Sequence, residues 1–251
     1  MIAELRRRLG LAMGALVAMT LPAVAELCDS RQFEGAGYAV CTVEAADQGK
    51  LRLWLDGPDG RVLGDFAAVR AQLSPGEVLG FAMNAGMYHA DYAPVGLYRA
   101  EGVERGAVVT AGGGGNFGMR PNGVFCVGAK APFQVIESRR FARVQPHCRL
   151  ATQSGPMLVI DGALHPRFLP DSDSRHVRNG VGVSGDMGTA WFVISDRAVT
   201  FHEFARFFRD GLGAPNALYL DGSISRLYAP ALGRADWGRR LGPIIGLVEG
   251  P

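Results

Sequence analysis

The sequence predicts a mixed α/β (α+β) fold in a single domain, with a mixed β-sheet and flanking helices. Short apolar runs with a period of two alternate with turns rich in glycine, asparagine and aspartate, which indicates many short strands. One amphipathic helix with a clear N-terminal cap lies between two of these runs. Apolar residues make up 48% of the 251 residues and no linker divides the chain, so it suits one large domain with an ample core.

Six segments have the character of strands, because their residues are apolar or alternate in polarity and turn residues bound them. The turn between the second and third of them, DGPDGR, is especially strong. In chain order the segments are YAVCTVEA (38–45), LRLWLDG (51–57), VLGFAMNAG (78–86), VFCVG (124–128), PMLVIDG (156–162) and WFVIS (191–195).

Residues 191–221 predict a strand, a helix and a second strand. Thr200 and Glu203 form a capping box, and apolar side chains recur three, four, seven and eleven positions after Phe201. This order is typical of a crossover between parallel strands, so we expect a parallel pair here. Asp221 then lies beyond the carboxyl end of the second strand, where ligands gather in open sheets.

Residues 1–25 have the pattern of a cleaved signal peptide. Arginines at positions 6–8 precede an apolar run, and Ala23-Val24-Ala25 is a small-x-small cleavage site. Two glycines and a proline interrupt the run, which is short for a membrane span, so we favour cleavage over an uncleaved anchor. The expected mature chain, residues 26–251, is therefore periplasmic or secreted, with no stable membrane insertion.

The charge balance argues against nucleic acid as a partner. The whole chain has 26 basic and 24 acidic residues, and the first 25 residues contain three of the arginines and one glutamate. The remaining chain is therefore neutral, so nothing favours bulk binding to nucleic acid or to a membrane surface.

The four cysteines all follow residue 25, and an even number in an exported protein indicates two disulfides. Three connectivities are open, and we expect near neighbours to pair, Cys28 with Cys41 and Cys126 with Cys148. A metal site is the competing interpretation, but the chain has no Cys-x-x-Cys motif.

Four loops share one pattern, in which an apolar run ends in a compact set of amide, hydroxyl or carboxyl side chains beside glycine or proline. Such loops offer hydrogen bonds and close backbone approach, which sugar hydroxyls and phosphate oxygens both require. Each loop alone is also explained as an ordinary turn. The loops are Asn84-Ala85-Gly86-Met87-Tyr88, Pro121-Asn122-Gly123, Gln153-Ser154-Gly155-Pro156 and Asp221-Gly222-Ser223.

Two further side chains are candidates for the same site. Arg178 precedes the strand-like run NGVGV, where its guanidinium could clamp an anion with two hydrogen bonds. A surface ion pair with Asp171 or Asp173 is the alternative for Arg178. His89 could serve as an acid or base, although a histidine in a surface turn fits the sequence equally simply.

Taken in order, the motifs NAGMY, PNGVF, QSGPMLVIDG, RNGVGV and LYLDGSIS resemble the phosphodiester glycosidase family. The resemblance spans about residues 78–248. It implies a carbohydrate or sugar-phosphate substrate and hydrolysis of a glycosyl C1–O bond. The family usually has two or three glycines after the aspartate, whereas Ser223 follows Gly222 here.

The resemblance implies roles for the candidate residues. Cleavage of a C1–O bond passes through an oxocarbenium-like state, and a phosphate leaves without the protonation that an alkoxide needs. Asp221 would stabilise or attack C1, and Arg178 would hold the phosphate. The remaining candidates would contact sugar hydroxyls or phosphate oxygens; they are Asn84, Gly86, His89, Asn122, Gly123, Gln153, Ser154, Gly222 and Ser223.

Two other functions stay open from the sequence. The first is a carbohydrate-binding or envelope-assembly protein that keeps the pocket without the chemistry. The second is a metal-dependent phosphodiesterase that uses His165, Asp171, Asp173 and His176 as ligands, although their spacing matches no metal motif. No cofactor is predicted, and a divalent cation that helps to hold phosphate stays open.

Overall fold

A computed structural model describes residues 26–221 and 224–250, which form one domain of short strands and a few short helices, as the sequence predicts. The strands are β1 (Cys28–Phe33), β2 (Ala36–Glu44), β3 (Leu51–Trp54), β4 (Val78–Asn84), β5 (Tyr98–Ala100), β6 (Val103–Arg105), β7 (Gly123–Val127), β8 (Phe133–Glu137), β9 (Leu150–Ser154), β10 (Met157–Ile160), β11 (Ala163–Leu164), β12 (Asn179–Val183), β13 (Thr189–Ser195), β14 (Asn216–Tyr219), β15 (Leu227–Ala229), β16 (Arg234–Ala235) and β17 (Ile244–Glu249). The α-helices are α1 (Phe66–Arg70), α2 (Ser138–Val144) and α3 (Phe201–Arg206), and α3 continues as a π-helical turn over Phe207–Gly211. Two 3₁₀ turns cover Ala45–Lys50 and Pro230–Leu232.

The strands form three sheets, and every strand pair within the described residues is antiparallel. The largest sheet has the order β1-β2-β13-β12-β14-β10-β11. The second has the order β16-β15-β4-β17-β3, and the third has the order β6-β5-β9-β7-β8.

The prediction of a parallel strand pair within residues 191–221 is wrong, although the predicted order of strand, helix and strand is correct. Strand β12 lies between β13 and β14 and pairs antiparallel with both, so the two outer strands run in the same direction without touching. Glycine in β12 allows the helical segment to pack on this sheet, because a Cβ at Gly182 would lie 2.5 Å from Phe208 Cδ1.

The predicted capping box of α3 is confirmed. Thr200 accepts a hydrogen bond from the Glu203 amide, and the Glu203 carboxylate accepts one from the Thr200 amide. The apolar stripe continues into the π-helical turn, where the ring of Phe207 stacks on that of Tyr38 with 4.0 Å between centroids. The helix therefore covers one face of the largest sheet.

One aromatic cluster joins the three sheets in the core. Phe192 of β13 lies 5.2 Å from Phe81 of β4 and 5.6 Å from Phe125 of β7, centroid to centroid. All three rings are almost fully buried. Since each ring comes from a different sheet, this cluster forms part of a core that the three sheets share.

Both expected disulfides are confirmed. Cys28 and Cys41 join the paired strands β1 and β2, and Cys126 of β7 joins Cys148, which lies just before β9. The expected signal peptide, residues 1–25, lies outside the described residues. Within the described part of the chain, no helix has the length and apolar composition that a membrane crossing requires.

Candidate active site

A cavity of about 640 Å³ opens where the three sheets meet, and Asp221 lies in its wall. Asp221 lies two residues after the end of β14 and is 7% exposed. We call this the Asp221 cavity. The side chains of Tyr88 and His89 contribute to the wall, together with the glycine-rich loop 112–115. The other described lining residues are Met87, Ala90, Val95, Val109, Asn116, Phe117 and Ile224.

Asn179, at the start of β12, holds Asp221 in place. Its side-chain oxygen accepts hydrogen bonds from the Asp221 amide at 3.3 Å, from Asn84 Nδ2 at 3.1 Å and from Ser225 Oγ at 3.2 Å. Its Nδ2 donates to the Asn84 carbonyl at 2.9 Å. Asn179 is fully buried, so these bonds act in a region of low dielectric where they specify one geometry.

Asn84 completes this network from the end of β4. Its Oδ1 accepts a hydrogen bond from the Arg226 amide at 2.9 Å, on the far side of Asp221. Ser225 Oγ also lies 2.9 Å from the Asp221 carbonyl. Asn84 is 1% exposed, and its side-chain nitrogen and oxygen both form hydrogen bonds within the protein that support the Asp221 loop.

Gln153 braces the glycine-rich loop. Its Oε1 accepts hydrogen bonds from the amides of Leu97 and Val109, and its Nε2 donates to the Val109 carbonyl and to Ser138 Oγ. All the polar atoms of this buried amide therefore have protein partners. Because Val109 precedes the loop 112–115, Gln153 fixes the point from which the loop enters the cavity wall.

The other predicted contact residues also serve the framework around the cavity. Asn122 donates to the Phe117 carbonyl at 3.3 Å, and Ser154 Oγ donates to the Leu220 carbonyl next to Asp221. Gly86 is required by close approach, because a Cβ there would lie 2.4 Å from the carbonyl oxygen of a neighbouring strand. Gly123 begins β7 and is buried.

Arg178 is buried in the core and is not among the described residues that line the Asp221 cavity. Its Nε donates to the Val199 carbonyl at 2.9 Å, and its Nη2 donates to the Ser174 carbonyl at 3.0 Å. Nη1 lies 3.4 Å from Tyr219 Oη, and the guanidinium stacks over the Phe201 ring at 3.6 Å. The contact with Tyr219 connects Arg178 to the last residue of β14, two residues before Asp221. Sequence analysis could not distinguish this environment from an anion clamp.

The charged segment around Arg178 forms structural contacts. His165 is buried, with Nε2 3.0 Å from the Arg120 carbonyl and Nδ1 accepting a hydrogen bond from the Arg167 amide at 3.2 Å. Burial lowers the pKa of His165, so the ring is neutral. Arg175 pairs with Glu203 and not with a nearby aspartate.

No group of three or more His, Cys, Asp or Glu side chains within residues 26–221 and 224–250 is arranged to hold a metal ion. The metal-dependent interpretation of residues 165–176 therefore gains no support from the described residues. Gly222 and Ser223, the remaining predicted contacts, lie outside them.

Two phenols, the half-buried Tyr88 and the buried Tyr219, lie near the carboxylate. Burial, followed by the charge of Asp221, raises the pKa of Tyr88 to about 12. Burial likewise raises the pKa of Tyr219 to about 12, with Asp221 adding to the effect and Arg178 opposing it. Both phenols therefore stay protonated at neutral pH and remain hydrogen-bond donors.

The sequence assigned no site role to Asn179 or to the glycine-rich loop, and it indicated Tyr88 only as the last residue of the loop that begins at Asn84. Asn179 lies in the motif RNGVGV directly after Arg178, and a guanidinium is the more obvious candidate for binding an anion. Four consecutive glycines indicate only flexibility in the sequence, whereas the structure places them in the wall of the cavity that Asp221 also lines.

The chain is similar to known proteins in both sequence and fold. The family model for phosphodiester glycosidase matches residues 78–246, and the chain belongs to this family. The uncharacterized protein YigE of Escherichia coli is 35% identical over 191 residues, which cover 76% of this chain and 73% of YigE.

Several solved structures share the fold, including the following two. The first is the catalytic domain of zebrafish N-acetylglucosamine-1-phosphodiester alpha-N-acetylglucosaminidase, auto-inhibited by its pro-peptide, with a TM-score of 0.59 and 14% identity over 88% of this chain and 81% of that one. The second is a putative exported protein of Burkholderia pseudomallei, with a TM-score of 0.54 and 14% identity over 84% of this chain and 74% of that one.

Proposed function

We propose that this protein hydrolyses the glycosyl C1–O bond of a sugar-1-phosphodiester, or of a related linkage in an envelope glycan or exopolysaccharide. The observation that carries the proposal is the position of Asp221, which is 7% exposed on the wall of a 640 Å³ cavity that a run of glycines also lines. Membership of the phosphodiester glycosidase family supports the reaction class.

Asp221 is the group that stabilises or attacks C1 in this proposal. The transition state carries positive charge on the sugar ring, and a carboxylate held in a partly dry cavity stabilises that charge. The Asp221 amide donates to Asn179 Oδ1, and Ser225 Oγ donates to the Asp221 carbonyl. These two bonds keep the carboxylate on the cavity wall. Such preorganisation means that little rearrangement is needed as the charge develops.

The departing phosphate is held by backbone amides of the glycine-rich loop in this proposal. A Cβ added to Gly113, Gly114 or Gly115 would meet no atom within 4 Å, so the backbone there is open to a ligand. Consecutive amides in such a loop suit an anion. His89, exposed on the same wall, can exchange a proton with the phosphate.

Arg178 then has a positioning role and not the clamping role that the sequence suggests. It contacts Tyr219, two residues before Asp221, and does not line the Asp221 cavity. An extracytoplasmic location, periplasmic or secreted, is part of the same proposal. Two disulfides and the exported structural neighbour from Burkholderia pseudomallei support it.

The test uses N-acetylglucosamine-1-phospho-6-mannose methyl glycoside in water labelled with oxygen-18. Label in the released sugar is the expected result, since it means C1–O cleavage. Label in the phosphate would mean P–O cleavage and would refute the proposal. No turnover of this compound or of a small panel of sugar phosphodiesters would favour the carbohydrate-binding alternative.

The variant Asp221→Asn separates the role of Asp221 from the reaction itself. We expect it to lose most of the rate, about 10²-fold or more, while the melting temperature is unchanged. Asp161→Asn is the matched control, because Asp161 lies in the turn between β10 and β11 and does not line the Asp221 cavity. Full activity of Asp221→Asn would exclude the proposed role.

A further inference from the structure

A second cavity, of about 360 Å³, lies beside the strand that follows Asp221. We call it the Trp237 cavity, because the indole of Trp237 stands at its rim and is 93% exposed. Its wall also contains Arg226 and Tyr228 of the chain around β15, and Phe66 and Arg70 of α1. An aromatic side chain this exposed beside a concave surface is typical of a binding site.

Arg226 is the unusual member of this wall. The side chain is 94% buried, since only 6% of its surface is exposed, yet Nε and Nη2 have no hydrogen-bond acceptor among the described residues. A buried guanidinium without an acceptor is costly, because it loses its hydration and gains no partner. An oxyanion that enters the cavity is the partner that a planar guanidinium recognises best.

The carboxylates near Arg226 are already engaged. Asp65 accepts the amide of Ala68 at 2.7 Å as the N-terminal cap of α1. Asp236 accepts the amide of Leu227 at 2.9 Å and forms an ion pair with Arg234 at 2.9 Å. Both carboxylates line the cavity and attract Arg226 at a distance, but neither accepts a hydrogen bond from it, so Nε and Nη2 keep their capacity to donate to a ligand.

A second arginine lies in the same wall, so two cations face the two engaged carboxylates. Arg70 is exposed and lies over the ring of Tyr228, with 5.6 Å between the guanidinium carbon and the ring centroid. The wall therefore combines a buried cation, an exposed cation and aromatic surface. A sugar ring presents an apolar C–H face that packs on an indole, and an acidic sugar adds the oxyanion.

We propose that the Trp237 cavity binds an anionic pyranose, a sugar that carries a phosphate or a carboxylate, with the oxyanion paired to Arg226 and the ring against Trp237. This binding site is separate from the proposed hydrolysis, because Asp221 does not line it. It adjoins the Asp221 cavity through residues 224–226, since Ile224 lines the first cavity and Arg226 the second. The site is thus suited to an acidic glycan that reaches beyond the proposed reaction centre.

The test follows the indole N–H resonances of protein purified from cells that express the full-length chain. The chain has three tryptophans, and Trp237→Phe assigns the resonance of interest. Glucose-1-phosphate and glucuronate are the two anionic probes, with glucose and inorganic phosphate as comparators. We expect the Trp237 resonance to shift with at least one anionic sugar, at a concentration about tenfold lower than with glucose.

Three variants make the test specific. Arg226→Met should weaken binding of the anionic sugar about tenfold and leave the melting temperature equal or higher, since an unpaired buried charge is removed. Arg61→Met, which removes an exposed arginine outside this wall, is the control for net charge and should bind normally. Asp221→Asn should also bind normally, so failure of the proposed hydrolysis does not affect this result.

Three results would overturn the proposal. One is a Trp237 resonance that responds to neither anionic sugar, and another is an equal response to glucose. The third is unchanged affinity in Arg226→Met. Should Arg226→Met not fold, Trp237→Ala replaces it with calorimetry as the readout. A reduction of about sixfold or more in the affinity of Trp237→Ala for the better anionic probe supports the proposal. Unchanged affinity in that variant refutes it.

Discussion

Replacing Asn179 with alanine tests the network that positions Asp221. Three buried groups would lose the partner that the side chain supplies, namely Asn84 Nδ2, the Asn84 carbonyl and the Asp221 amide. Ser225 would keep two other acceptors, the carbonyls of Val177 and Asp221. The damage is therefore confined to the residues that join β4 to the Asp221 loop.

The magnitude follows from these three groups. A buried polar group left without a partner costs about 1–3 kcal/mol, so the variant should lose about 3 kcal/mol of the free energy of unfolding even if each of the three groups is at the low end of that range. A loss of this size is a large part of the stability of a typical domain. Activity on the proposed substrate should fall as well, because Asp221 would no longer be held in one geometry.

Urea unfolding followed by circular dichroism measures the loss. Asn216→Ala is the matched control, since Asn216 Oδ1 accepts one hydrogen bond, from the Asp161 amide at 3.0 Å, near the surface. We expect about 1 kcal/mol or less there. A loss in Asn179→Ala no greater than that of the control would refute the claim that this network stabilises the site.

Three more outcomes follow from the packing and the charges. Gly86→Ala should destabilise the fold by about 2 kcal/mol or more, because the added Cβ would clash with a backbone carbonyl. Gly49→Ala is the control and should not destabilise it, since a Cβ there has no atom within 4 Å, and thermal melting compares the two variants. Replacing Cys126 and Cys148 with serine should lower the free energy of unfolding by about 3 kcal/mol, measured in urea without reductant, and an unchanged midpoint would contradict this. The pKa of His165 is lowered in the folded state, so as the pH falls the unfolded chain takes up a proton before the folded one, and the free energy of unfolding should fall below about pH 6.5. His165→Gln should remove this part of the dependence of the free energy of unfolding on pH, measured by urea titration at each pH.

Local features of the chain were predictable because their signals lie within a few residues. The capping box at Thr200 depends on side chains three positions apart, and the strand runs depend on alternation over four to seven residues. The pairing of Cys126 with Cys148 also agreed with simple proximity along the chain. The ordered motifs indicated the family, and the family model confirms it.

The sequence by itself determined the strand segments, the capped helix, the disulfides and the family, since each depends on short-range order or on a chain of motifs. Only the tertiary structure decided that β12 enters between β13 and β14, because strand pairing depends on contacts among segments far apart in the chain. It also decided which polar side chains face the cavity. Arg178 and Asn179 are neighbours in sequence, yet the guanidinium braces the core behind Asp221 and the amide holds the Asp221 backbone, because burial and available partners fix the role of each.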